Sequence, residues 1–159
     1  MVIIVISILA TTGLIAWGVI AYLGRSQTLS VKSIENPSGD LHVIRLAKPD
    51  TMTWKAGSYA KITLPSTASG GEKNDHKGEQ TSRWLSIASS PEDNEIIILT
   101  HNSGSPYKKA LASLPAGSQV KMSWLESSLS VTDGNEPLVC FASDVGISAM
   151  RPICQAVGR

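Results

Sequence analysis

The stretch of this chain best suited to chemistry is Arg83–Pro91, which reads Arg-Trp-Leu-Ser-Ile-Ala-Ser-Ser-Pro. A cation, an aromatic, an aliphatic and a hydroxyl residue follow one another, and the alternation predicts a β-strand. Such a strand places Arg83 and Leu85 on one face, and Trp84 and Ser86 on the other. This arrangement suits a ligand that joins an anionic group to a flat apolar ring. Taken alone, an ordinary barrel strand with an exposed arginine explains the pattern equally well.

A second predicted element, a short helix, would supply positive charge to the same ligand. Ser105 is a favourable N-cap and Pro106 stands at the first helical position, so a helix is expected over residues 105–114. The free N–H groups at the start of a helix favour an anion. Lys108 and Lys109 add charge, and Arg83 offers a fork-shaped guanidinium for a phosphate. The alternative is a capped surface helix with a solvated basic face.

Several segments, in order along the chain, resemble motifs of the ferredoxin–NADP reductase superfamily. Residues 83–86 are similar to its Arg-x-Tyr-Ser flavin signature, and residues 54–65 to the strand that precedes it. Residues 104–111 resemble its phosphate-binding turn and helix, and residues 114–120 the entry to the next strand. The resemblance implies an all-β-dominated fold, a six-stranded antiparallel Greek-key β-barrel with one short helix, over residues 25–135. It implies FAD as cofactor, with FMN as the alternative.

The resemblance also implies roles for individual residues. In the family, the aromatic residue of the signature stacks on the isoalloxazine ring and the following hydroxyl bonds near its N5 atom. The matching positions are Leu85, which can cover a ring but cannot stack on it, and Ser86, the predicted catalytic residue. No metal site is expected. The predicted cofactor-binding residues are Arg83, Trp84, Leu85, Ser86, Thr100, His101, Gly104, Ser105, Lys108, Gly146 and Ser148.

Residues 136–159 resemble the start of the family's α/β NAD(P)-binding domain. Gly146 and Ser148 match its motif, but Ser143 and Asp144 replace its paired glycines, and an acid there would repel a nucleotide phosphate. Such a domain normally needs on the order of 100 residues. The expectation is therefore a truncated domain: either the sequence is a fragment, or another polypeptide completes the domain. NAD(P)H would bind only to the completed domain.

Strand and turn signals along the chain agree with a barrel. Many short strands with turns between them, and one internal helix, are typical of a closed antiparallel barrel. The continuously apolar run 138–143 predicts a buried parallel strand, with a helix starting near Ser148. The polar run 66–82 predicts a mobile surface loop. The predicted strands are 28–35, 40–47, 59–64, 83–88, 95–101, 119–124, 129–132 and 138–143.

Composition limits the classes of protein that the chain can belong to. Its 159 residues carry a formal net charge of +1, which gives no electrostatic case for a nucleic-acid partner. Cys140 and Cys154 lie in apolar sequence without metal-ligand spacing, so we expect buried free thiols rather than a disulfide or a metal site.

The first 24 residues contain no charged side chain and are rich in Ile, Val, Leu and Ala. A helix of this length can cross a hydrocarbon core of about 30 Å. A secretory signal is the competing interpretation, but no basic residue precedes the apolar run. Arg25 and Lys32 follow it, which predicts a single-pass anchor in membrane lipid with the barrel in the cytoplasm.

Together these features predict a membrane-anchored flavin oxidoreductase. It would pass electrons from NAD(P)H through FAD or FMN to a one-electron acceptor, either a protein or a domain. The alternative is a non-catalytic, membrane-tethered interaction module derived from a reductase barrel. A lipid-binding or small-ligand-binding barrel is a third hypothesis, with no specific residue to support it.

Overall fold

The computed structural model describes residues 12–15, 17–18, 26–65, 81–127, 129, 131 and 139–157. Residues 12–15 and 17–18 are helical and exposed. The other elements are six strands, two α-helices and a 3-10 turn at Asp144–Gly146. The strands are β1 (Ser26–Ser38), β2 (Leu41–Ala47), β3 (Tyr59–Thr63), β4 (Ser82–Ser86), β5 (Glu95–His101) and β6 (Gln119–Glu126), and the helices are α1 (Pro106–Ala112) and α2 (Ile147–Val157).

The six strands form one antiparallel sheet that closes on itself. Their order is β4-β3-β6-β1-β2-β5, so β6 returns between β1 and β3. The two outer strands meet where Ile87 bridges Ile98 and the Ala88 N–H donates to the Ile97 carbonyl at 2.8 Å. The predicted six-stranded antiparallel barrel is confirmed.

Alternation along the strands builds the core. In β1, Leu29 and Val31 point inward with 1% exposure each, and in β5 Ile96 and Ile98 do the same. Successive residues of a strand face opposite sides, so one face of each strand supplies the barrel interior. Each such aliphatic side chain stabilises the fold by about 1.5 to 3 kcal/mol when buried.

Helix α1 packs on this core through side chains four residues apart. Tyr107 and Leu111 are both 2% exposed, and the Tyr107 hydroxyl donates to the Ile62 carbonyl at 3.0 Å. Pro106 begins the helix as predicted, although the helix ends at Ala112 rather than at residue 114. Ser105 occupies the N-cap position without a side-chain capping hydrogen bond.

Burial of Tyr107 predicts a pH dependence of stability. Burial raises the pKa of this phenol above its ordinary value of 10.0, because the phenolate is poorly solvated in the barrel. The neutral form therefore stabilises the fold fully below about pH 10, and this stabilisation is lost as the pH rises further. We expect the melting temperature of the native chain to fall more steeply than that of Tyr107→Phe between about pH 9 and pH 11. Parallel melting curves would contradict this assignment.

The run 139–143 is not a strand, which corrects the prediction of a buried parallel strand. These residues have no regular structure, and Val139 and Phe141 are 70% and 88% exposed. A parallel strand needs backbone hydrogen bonds to at least one neighbouring strand. None of the six described strands pairs with this run.

Helix α2 begins at Ile147, close to the predicted start near Ser148, and packs against the barrel. Gly57 makes this contact possible. A Cβ atom at Gly57 would lie 2.7 Å from the Leu129 carbonyl oxygen and 3.0 Å from Ile153 Cδ1, and Gly57 has a φ of +79°. Only glycine adopts that φ without strain and also admits so close a neighbour.

The two cysteines are free thiols, as expected, but they are not buried. Cys140 is half-buried and Cys154 is exposed. A side-chain hydrogen bond from the Cys140 thiol to Cys154 raises the pKa of Cys140, because the bond needs the proton that ionisation would remove. The prediction of burial was wrong: Cys140 lies in the run 139–143, which forms no strand, and Cys154 lies on α2 with its side chain exposed.

Several predicted features lie outside the described residues. They include most of the apolar segment 1–24, the loop at 66–80, and residues 128, 130 and 132–138. Among the described residues, no helix has the length and apolar character needed to span a membrane.

Candidate functional site

Arg83 lies beside the first turn of α1. It sits on β4 opposite Ile62 of β3, and its exposed side chain places the guanidinium carbon 5.9 Å from the centre of the Tyr107 ring. The guanidinium also donates to the Ser82 carbonyl at 3.1 Å. The two elements predicted to hold an anion are therefore neighbours, although more than 20 residues separate them in the chain.

The turn before α1 leaves its backbone accessible. Gly104 is exposed with a φ of +76°, and no atom lies within 4 Å of the point where a Cβ would stand. Ser105 and Lys108 are half-buried next to it, and the first turn of α1 has no acidic residue. Exposed N–H groups and positive charge with no competing carboxylate in that turn suit an anionic group.

Further along β4, Leu85 and Ser86 face different surroundings. Leu85 packs on the barrel core, while Ser86 is half-buried and its hydroxyl makes no hydrogen bond to a described residue. Trp84 is 47% exposed and meets the edge of Tyr59, with ring centres 5.4 Å apart.

Tyr59, which the sequence did not single out, lies beside the predicted site residues. It pairs with Ser86 across β3 and β4, contacts Trp84, and donates its hydroxyl to Glu126 Oε2 at 3.0 Å. An aromatic ring therefore does stand next to the predicted catalytic hydroxyl. Finding it required the register between two strands, which no local pattern reveals.

The predicted contacts on β5 already have partners within the protein. Thr100 is buried, and its hydroxyl donates to the His101 carbonyl at 3.4 Å. The His101 ring lies between two carboxylates, with Nε2 against Asp144 and Nδ1 3.6 Å from Asp40 Oδ2. The backbone here is paired as well, because the His101 carbonyl also accepts from the Ser103 N–H at 3.0 Å.

The structure also shows where the two residues predicted for a nicotinamide lie. Gly146 closes the 3-10 turn, and Ser148 is buried with its hydroxyl donating to the Val145 carbonyl at 2.6 Å. Asp144 has a φ of +56°, a strained value for a residue other than glycine. An internally bonded hydroxyl and a carboxylate do not fit a nicotinamide nucleotide.

Comparisons with known proteins bear on the fold of the barrel. No protein-family model and no curated protein matches the chain by sequence. Solved structures do match. The cytochrome P450 reductase of Amycolatopsis aligns with a TM-score of 0.66 and 18% identity, over 82% of this chain and 39% of that protein. The chain has the ferredoxin–NADP reductase fold.

Two further structures share the ferredoxin–NADP reductase fold with the chain. The flavohaem-like FAD/NAD-binding domain of nitric oxide dioxygenase from Vibrio cholerae O1 biovar El Tor has a TM-score of 0.65 and 17% identity, over 82% of this chain and 56% of that domain. A ferredoxin NADP+ reductase from Neisseria gonorrhoeae, with bound FAD and NADP, has a TM-score of 0.51 and 11% identity, over 65% of this chain. The chain spans 39% of the length of the Neisseria reductase.

Proposed function

We propose that the barrel binds a flavin nucleotide, and that the whole protein passes electrons from NAD(P)H through this flavin to a one-electron acceptor. The observation that carries the proposal is the contact between Arg83 and the first turn of α1, with its 5.9 Å separation from Tyr107. Two of the proteins with this fold support it, because one is described with bound FAD and NADP and another as an FAD/NAD-binding domain.

The described residues fit the phosphate and the ring of such a ligand. Arg83 would bind the phosphate with charge-assisted hydrogen bonds, and the N–H groups at Gly104 and Ser105 would orient it. Leu85 would cover the ring by dispersion contacts, and the Ser86 hydroxyl would bond at the ring nitrogen N5. A bound flavin supplies hydride acceptance and the release of single electrons. We favour FAD, with FMN as the alternative.

A titration of the purified full chain tests this proposal. We expect FAD or FMN to develop a protein-bound visible spectrum, and riboflavin, which has the same ring without phosphate, to bind at least tenfold more weakly. The proposal fails if none of the three compounds develops a protein-bound visible spectrum. Equal binding of riboflavin and FMN would show that the Arg83 region does not hold the phosphate.

A non-catalytic interaction module is the second candidate. It is favoured by Asp144 and Ser148, because in the described structure these two motif residues are paired with other groups of the chain and are not open to a nicotinamide. The two candidates differ in NAD(P)H-dependent ferricyanide reduction by the complete native polypeptide. We expect reduction if further residues complete the nucleotide domain, and none from an interaction module.

We also propose that the apolar segment 1–24 anchors the protein in membrane lipid with the barrel in the cytoplasm. The support is the uncharged apolar run, followed by Arg25 and Lys32. The full chain should then stay in the membrane fraction after an alkaline wash, and deletion of residues 1–24 should release it. Recovery of the full chain in the soluble fraction would refute the anchor.

A further inference from the structure

The barrel contains a cleft that is separate from the Arg83 region and reaches Glu126, the hydrogen-bond partner of Tyr59. It lies where β1 begins and β6 ends, beneath the turn that follows β2, and encloses 520 Å³. Gln27, Met52, Met122, Trp124 and Glu126 line it. None of the predicted flavin-binding residues is among its described lining residues. A volume of this order is typical of small-molecule sites, and barrel mouths are common places for them.

Gln27 gives the cleft a polar group without a partner. It follows the same alternation as Leu29 and Val31, which point into the barrel, and it pairs with the buried Met122. Its Oε1 atom is buried and accepts no hydrogen bond from a described residue. Buried polar atoms nearly always have a partner, so an exception at a cleft indicates a place for a donor from outside the chain.

The rest of the lining defines the chemistry of that donor. Met52 and Met122 are almost fully buried and provide apolar walls. No lysine or arginine is among the described lining residues, and the carboxylate of Glu126 stands at the rim, where it accepts from Tyr59. An anion would meet no opposite charge here. An uncharged ring compound with an N–H or O–H group would pack against the apolar walls and donate a hydrogen bond to Gln27 Oε1.

The backbone beside the cleft is also unusual. Between the pairs Lys61–Ser123 and Tyr59–Glu126, strand β6 has one more residue than β3, and Trp124 has a φ of +53°. A bulge of this kind redirects side chains, and Trp124 and Leu125 both line the cleft. A bulky residue in the left-handed region is costly and tends to be kept at binding sites.

We propose that this cleft binds a small uncharged ring compound whose N–H or O–H group donates to Gln27 Oε1. The proposal does not depend on flavin binding, because it involves none of the residues assigned to the flavin. The class of ligand follows from one acceptor, apolar walls and no cationic side chain.

Indole and 1-methylindole form a matched pair of probes for this site, because they differ chiefly in the N–H donor. Binding to the full chain is followed by NMR through the Gln27 side-chain amide and the Trp124 indole signals. We expect saturable shifts with indole at a Kd on the order of 1 mM, and binding of 1-methylindole about threefold to tenfold weaker.

Two variants make the test specific. Gln27→Leu keeps the shape of the side chain and removes the acceptor, so the difference in affinity between indole and 1-methylindole should disappear. The rest of the NMR spectrum of this variant shows whether the fold is intact. Arg83→Ala should leave indole binding unchanged even if it abolishes flavin binding. The proposal is overturned if indole causes no saturable shift, if its shifts map elsewhere, or if both probes bind the native chain equally.

Discussion

Arg83→Ala is expected to weaken the binding of a flavin nucleotide by about 100-fold, the largest effect on affinity of any single substitution considered. Hydrogen bonds to a charged partner contribute about 1.5 to 3 kcal/mol each, and tenfold in affinity corresponds to about 1.4 kcal/mol. The guanidinium lies 5.9 Å from the ring of Tyr107 in the first turn of α1. Unlike the ammonium of Lys108 in the same turn, it can form two parallel hydrogen bonds to a phosphate. The measurement is a flavin titration followed by visible absorbance.

The controls for Arg83→Ala separate the phosphate contact from general damage. Riboflavin affinity should stay unchanged in this variant, and Arg83→Lys should lose less affinity because one charge remains. Arg45→Ala removes another arginine, one that binds Glu35 and Glu95 on the neighbouring strands, and should leave flavin affinity unaltered. Equal losses for Arg83→Ala and Arg45→Ala would refute the assignment of Arg83.

Tyr107→Ala is expected to destabilise the barrel by about 4 kcal/mol, the cost typical of emptying a site filled by a buried aromatic ring. Tyr107 is 2% exposed, is among the largest fully buried side chains, and ties α1 to β3 through its hydrogen bond to Ile62. The total free energy of unfolding of most native proteins is only about 5 to 15 kcal/mol, so the loss is large. Denaturant unfolding of the flavin-free chain measures it.

Two further variants locate the origin of that loss. Tyr107→Phe keeps the ring and removes only the hydroxyl, so it should cost about 1 kcal/mol. Trp84→Ala removes an aromatic side chain that is 47% exposed and should cost less than about 1 kcal/mol. If Tyr107→Ala and Trp84→Ala cost the same, α1 is not anchored through Tyr107.

The sequence predicted the strands and the helix start because these depend on nearby residues. The strands predicted at 28–35 and 95–101 correspond to β1 and β5 of the barrel. The Ser105-Pro106 pair marked the start of α1 within one residue. The prediction that the strands close into a six-stranded barrel came from the resemblance to the reductase superfamily. The buried strand at 138–143 failed because an apolar run becomes a strand only when neighbouring strands can hydrogen-bond to it.

What the sequence by itself determined was the position of the six barrel strands, the start of α1 and the presence of a cation on β4. Alternation and capping act within a few residues, so a linear pattern is enough to read them. Only the tertiary structure decided that Tyr59 stands beside Ser86, that His101 is held by Asp144, and that the acceptor of Gln27 has no partner in the described barrel. These features involve residues that are distant in the chain, and strand register and barrel closure decide which of them become neighbours.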